Sequence, residues 1–89
     1  MFQKVKSVKP LDNYILLITF ENNIQKKYDI KPLLKKWDVF KNLINNPKLY
    51  ENVTVDNGGY GIYWNEYIDL SCNELWNNGV EIDNRLQNS

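Results

Sequence analysis

The sequence contains no histidine. Imidazole is the side chain that ordinarily titrates nearest neutrality. Its absence removes the commonest general base, the Ser-His and Cys-His nucleophile systems and most zinc sites. Cysteine occurs once, at Cys72, which excludes an intramolecular disulfide, a thiolate metal cluster and a Cys-x-x-Cys redox pair. A lone cysteine also favours a reducing compartment. Glycine is scarce, and the cluster Gly58-Gly59-Tyr60-Gly61 lies in a hairpin pattern rather than between a strand and a helix, so it is not a phosphate loop. The longest apolar run, from Tyr14 to Phe20, is far short of the roughly 20 residues that span a bilayer. Phe2-Gln3-Lys4 does not open as a secretion leader. A cytoplasmic protein without a membrane segment is expected.

What is present describes one domain. The chain has 89 residues, of which 43% are hydrophobic, and six tyrosines, three tryptophans and three phenylalanines supply bulky burial. Formal net charge is zero, yet the signs are segregated. Residues 1–48 hold ten lysines against Asp12, Glu21, Asp29 and Asp38, a surplus of six positive charges. Residues 49–89 hold Arg85 against Glu51, Asp56, Glu66, Asp69, Glu74, Glu81 and Asp83, a surplus of six negative ones. Two readings stand: self-complementary packing of the halves, or a surface with two faces of opposite sign.

Val5 and Val8 mark a short first strand stopped by Pro10, and Leu11-Asp12-Asn13 a turn. From Tyr14 to Phe20, Tyr14, Leu16, Ile18 and Phe20 share one face and Ile15, Leu17 and Thr19 the other. A strand apolar on both faces belongs inside its sheet. Asn22-Asn23 then joins it to the alternating run Ile24–Ile30, which makes a β-hairpin. Pro32 opens a helical period carried by Leu33, Leu34, Trp37, Phe40, Leu43 and Ile44, with Asp38 placed to cap a second short helix. Asn45-Asn46-Pro47 ends that pattern. Val53 and Val55, the Asp56-Asn57-Gly58-Gly59 turn, and Tyr60, Ile62 and Trp64 form a second hairpin. Gly61 marks a bulge or a close backbone approach. Asn65-Glu66 turns the chain again into Tyr67–Leu70, the last short extended segment.

Ser71 and Glu74 have capping-box spacing and start a helix over residues 71–78, with Gly79 in a left-handed C-cap. The expected fold is therefore α+β: a small mixed, mainly antiparallel sheet built from two hairpins, with short helices around residues 32–44 and 71–78. The domain spans residues 1–79, and residues 80–89, which lack periodicity, are expected to be a flexible tail.

No catalytic or metal-binding set and no cofactor site is found. Asp56, Glu66 and Asp69 cluster near the second hairpin, but they also fit solvated turn and edge positions. Cys72 is either a helix-start thiol or a small buried hydrophobe. Lys26, Lys27, Lys31, Lys35 and Lys36 form the one basic cluster. A nucleic-acid surface is disfavoured there, because arginine is nearly absent and the isoelectric point is about 6.2. The candidate binding residues are Tyr60, Tyr63, Trp64, Asp69, Glu74 and Trp76, aromatics and carboxylates suited to a protein interface. At alternating or helical spacing the same aromatics also fit a core.

The order of motifs resembles the bacterial domain-of-unknown-function family 2442. It is carried by Val5-x-x-Val8, Tyr14-Ile15-Leu16-Leu17-Ile18-Thr19-Phe20-Glu21-Asn22 and Tyr28-Asp29-Ile30-Lys31-Pro32-Leu33-Leu34. Phe40-x-x-Leu43, Val53-Thr54-Val55-Asp56, Gly61-Ile62-x-Trp64, Ile68-Asp69-Leu70 and Leu75-Trp76 complete it over residues 4–79. The resemblance implies a compact α+β domain and supplies no catalytic residues. Members occur alone or joined to a helix-turn-helix segment, and some lie beside small partner genes in toxin–antitoxin-like arrangements. The function expected is a non-catalytic protein-interaction module, antitoxin-like or regulatory, with a small partner protein or a second copy as its ligand. A small-ligand-binding domain, with a pocket between the sheet and the helices around Trp37, is the alternative. Weak nucleic-acid binding through the lysines comes third.

Overall fold

Backbone conformation at a few polar residues sets the order of elements. A computed structural model describes residues 2–82. Asn23 takes φ 70° while the Asn22 side chain accepts from the Ile24 amide, so Asn-Asn makes the expected turn between β2 (Ile15–Phe20) and β3 (Gln25–Asp29). β1 (Val5–Pro10) pairs on the other side of β2, which puts the strand with two apolar faces inside its sheet. Tyr14 is not part of β2. Asn13 and Tyr14 both have positive φ in a 3-10 turn at Asp12–Tyr14, and the Tyr14 ring lies edge-on to Tyr50.

The second hairpin pairs β4 (Thr54–Val55) with β5 (Gly61–Asn65), and β6 (Ile68–Ser71) adds beyond β5. Asp56 holds its turn closed by accepting from the Tyr60 amide at 2.8 Å. The hairpins thus seed two antiparallel sheets, one of four strands and one of three. In this second sheet the register shifts between Tyr63 and Asn65. Gly61 instead serves close approach, since a Cβ there would lie 2.5 Å from the Leu70 carbonyl oxygen.

Between the sheets runs a connection in which Trp37 separates two 3-10 turns, Lys31–Lys35 and Asp38–Phe40. The second leads into α1 (Lys41–Asn45). Asp38 makes no capping hydrogen bond; it pairs with Lys41 at 3.3 Å. Pro47, read as a terminator, opens another helix, α2 (Pro47–Glu51), capped by the Asn46 side chain. Proline is tolerated there because a first-turn N–H has no intrahelical partner to lose.

α3 (Cys72–Asn78) begins as expected, with the Glu74 amide donating to Ser71 Oγ at 3.1 Å. Its end differs, because Gly79 has φ −76°, not a left-handed value. Val80–Glu81 then forms β7, paired with Lys26 and Lys27 of β3. The first sheet thus takes in Val80 and Glu81, and residues 83–89 of the expected tail lie outside the described residues.

Alternation turns Val5, Leu16, Ile18, Phe20 and Tyr28 of the first sheet inward, where they meet Ile62, Trp64, Ile68 and Leu70 of the second in a single core. Leu33, Phe40, Leu43 and Tyr50 cover it from the connection, Cys72 and Leu75 from α3. Cys72 is thus a buried packing residue. The sheets are tied where the Val5 amide donates to the Gly59 carbonyl at 2.7 Å. Gly59 has φ +81°, and a Cβ on it would lie 2.6 Å from the Val5 carbonyl oxygen. Left-handed strain and backbone overlap therefore act together at one residue. Gly59→Ala is expected to cost about 2–4 kcal/mol, measured as a lower urea midpoint at unchanged slope; a midpoint equal to that of the wild type would mean the tie contributes nothing.

Candidate functional site

Strand alternation decides which candidate residues reach solvent. Ile62 and Trp64 point into the core and Tyr63 points out, so Trp64 is 5% exposed and Tyr63 41%. The Trp64 indole donates to the Tyr50 carbonyl at 3.1 Å and stands edge-on to Phe40. Trp64 is therefore a core residue and not available to a partner. Trp76 is half-buried, edge-on to Phe20, with the Lys26 ammonium 3.9 Å from its ring centroid. Lys26 also donates to the Trp76 carbonyl.

Glu74 is half-buried because it accepts from the Tyr28 hydroxyl at 2.7 Å and from the Asn78 amide at 2.9 Å. In a full capping box it would reach back to the Ser71 amide; here its carboxylate joins α3 to β3 instead. Of the six binding candidates, Tyr60, Tyr63 and Asp69 remain exposed.

These three come together. Tyr63 and Asp69 are cross-strand partners on the outward face of the second sheet. Asp56, Tyr60, Tyr63, Glu66 and Asp69 line an open hollow of about 580 Å³ there. Its neighbour across β6 is lined by Trp37, Phe40, Tyr67, Asp69 and Glu74. Trp37 and Tyr67 were not among the candidate binding residues, yet they are 51% and 77% exposed. For Tyr67 the signal was its place in the turn after Asn65-Glu66, where side chains escape the sheet. Lys4, with its ammonium 5.0 Å from the Tyr60 ring centroid, is the cation at the rim.

Of the basic candidates, Lys27 and Lys36 line one hollow, together with Asp29 and Glu74. Lys26 is engaged with Trp76, and Lys31 pairs with Asp29 at 2.9 Å. Lys27 lies on the outward face of β3, while Lys35 and Lys36 are exposed on the connection. Among the described residues, the ion pairs are Lys31–Asp29 and Lys41–Asp38, both local and both within the first half of the chain. No ion pair among these residues joins the lysine-rich half to the acidic half. Nor do any three of the acidic and cysteine side chains group as metal ligands there. No helix among them is long and apolar enough to cross a membrane.

Titration is perturbed mainly at buried tyrosines. Burial raises the Tyr28 hydroxyl, and the hydrogen bond to Glu74 and its charge raise it further. Burial pushes Tyr50 up to about 12; its hydroxyl lies 2.8 Å from the Leu11 carbonyl and 3.0 Å from that of Ile15. Partial burial pushes the Asp29 carboxyl up, but the side chain and amide of Lys31 outweigh it and hold Asp29 below the usual range.

Fold and exposed surface together define a small two-sheet α+β domain whose concentrated aromatics and carboxylates lie on an open sheet face. The chain belongs to the family described as Protein of unknown function (DUF2442), whose model matches residues 5–81. That match ends at Glu81, the last residue of β7. Comparison with curated proteins finds no match, and neither does comparison with solved structures.

Tyrosine in an unfolded chain titrates near 10, and both buried tyrosines hold their protons above that value when folded. Their contribution to stability is thus complete below about pH 10 and is lost as pH rises from there through the folded values. Melting temperature is expected to fall above about pH 10, and less steeply in Tyr28→Phe/Tyr50→Phe. Equal steepness in that double variant would assign alkaline sensitivity to other groups.

Proposed function

We propose that this domain is a non-catalytic protein-interaction module of the cytoplasm, one that binds and restrains a small basic partner protein in an antitoxin-like way. The outward face of β5 and β6 is the docking surface. The observation that carries the reading is the concentration of exposed Tyr60, Tyr63, Tyr67 and Trp37 around Asp69. Solvated aromatic rings are costly to leave uncovered and supply rigid contact area when covered. Carboxylates at the same place favour a cationic partner and speed its encounter. The lone cysteine, Cys72, suits a reducing cytoplasm.

Tyr63 and Asp69 divide the labour. The Tyr63 ring would fill a partner's pocket, while Asp69 would meet a lysine or arginine at its edge. Truncating such an aromatic anchor typically costs at least about 2 kcal/mol of binding, whereas a rim charge acts mainly on the association rate.

Tagged protein used as bait in host lysate is expected to retain a small basic protein in stoichiometric amount. Tyr63→Ala is expected to lose that protein, and Asp69→Lys to slow its capture at low salt. The reading fails if the bait retains nothing, or if Tyr63→Ala retains the same protein equally well.

A further inference from the structure

The opposite side of the molecule is complementary to the docking face. Register places Lys9, Leu17, Lys27 and Val80 side by side across the four-stranded sheet, one from each strand. Leu16 and Ile18 of β2 point into the core, so Leu17 and its row face outward. Lys9 and Lys27 are exposed, Val80 is 70% exposed and Leu17 is half-buried. Ile15 lies on the same face, and Asp29 opposite it is already paired with Lys31. The row thus presents two ammonium groups on either side of an aliphatic centre.

The three-stranded sheet presents the counterpart. Thr54, Tyr63 and Asp69 are register partners across its outer face, with Glu66 and Tyr60 beside them. Since both sheets give their inner faces to one core, the two outer faces turn away from that core and from each other. One molecule therefore cannot bring them together. Two molecules can.

We infer that the aromatic and acidic face of one molecule is covered, when no other partner is bound, by the lysine-flanked face of a second copy. Leu17 and Val80 of one copy lie against Tyr63 and Tyr60 of the other, with Lys9 and Lys27 near Asp69 and Glu66. The inference rests on the docking role proposed for the β5–β6 face, and it makes the second copy a competitor that a heterologous partner displaces. Different patches meet, so the contact is head-to-tail, and it builds rings or open chains rather than a two-fold dimer.

Size sets the strength. Four strands at a spacing of about 4.8 Å and a β2 of six residues at about 3.3 Å each give a face roughly 15 by 20 Å. That is small beside the roughly 800 Å² per partner of a stable complex, so association is weak and concentration-dependent.

The test uses purified protein alone, so it is independent of whether any lysate protein is captured. Sedimentation velocity is run over a range of protein concentrations at low salt and at about 1 M salt, where the screening length is near 3 Å. Wild type is expected to sediment faster as concentration rises at low salt and to return to monomer at high salt. Tyr63→Ser/Asp69→Ser and Lys9→Ser/Lys27→Ser are each expected to remain monomeric. Mixed in equal amounts, these two double variants are expected to stop at a dimer, since each retains the face that the other lacks. Circular dichroism establishes that both variants are folded. Wild type that stays monomeric at low salt overturns the inference. So does a double variant that associates on its own, or a mixture that stays monomeric.

Discussion

The hydrogen bond from the Val5 amide to the Gly59 carbonyl is the joint on which the two sheets hang. It brings the start of the first sheet against the turn of the second, so close that no side chain fits at Gly59. With the sheets tied at that point, the way to remove both apolar faces from water is to bury them against each other, and they share one core. Leu33, Phe40, Leu43 and Leu75 then close what the sheets leave open.

That closure commits the inner faces and leaves two outer faces of different chemistry. The lysine surplus of residues 1–48 and the carboxylate surplus of residues 49–89 are not cancelled by ion pairs between the halves among the described residues. Side-chain links between the halves are of other kinds. Tyr28 donates to Glu74, and Lys26 lies over the Trp76 ring. Both fasten β3 to α3 and withdraw one lysine and one carboxylate from the surface. Asp69 and Glu66 stay at the open aromatic face, where carboxylates meet exposed apolar area.

Much of the fold was legible. The β2–β3 hairpin could be read because a period of two and an Asn-Asn turn are local signals, and Asn23 takes the positive φ that such a turn needs. The start of α3 was legible for the same reason, through Ser71 and the Glu74 amide. Trp37 was not. Its place on an apolar helical stripe assumed 3.6 residues per turn, but the backbone there is two 3-10 turns of about three residues each, so the stripe drifts and Trp37 reaches solvent. Asn45-Asn46-Pro47 does end α1, but the helix that follows was not legible, because proline marks both the end of one helix and the first turn of the next. On the open face of the second sheet, Tyr63 and Asp69 followed from alternation on β5 and β6, whereas Trp64, on the other side of the same strand, belongs to the core. Tyr67 and Trp37 complete the face only through the packing of a turn against a connection distant in sequence.

By itself the sequence determined the absence of histidine and of a second cysteine, the α+β class, the two hairpins and the capped start of α3. Each follows from composition or from dihedral preferences and periodicities that act over a few residues. The tertiary structure alone decided that the hairpins seed separate sheets, that Val80 and Glu81 pair with β3, and that Lys9 and Lys27 lie on the outer face of one sheet and Asp69 on that of the other. Those outcomes depend on which surfaces meet across long separations in the chain. A local pattern states that a face is apolar; the partner that covers it is chosen by the packing of the whole.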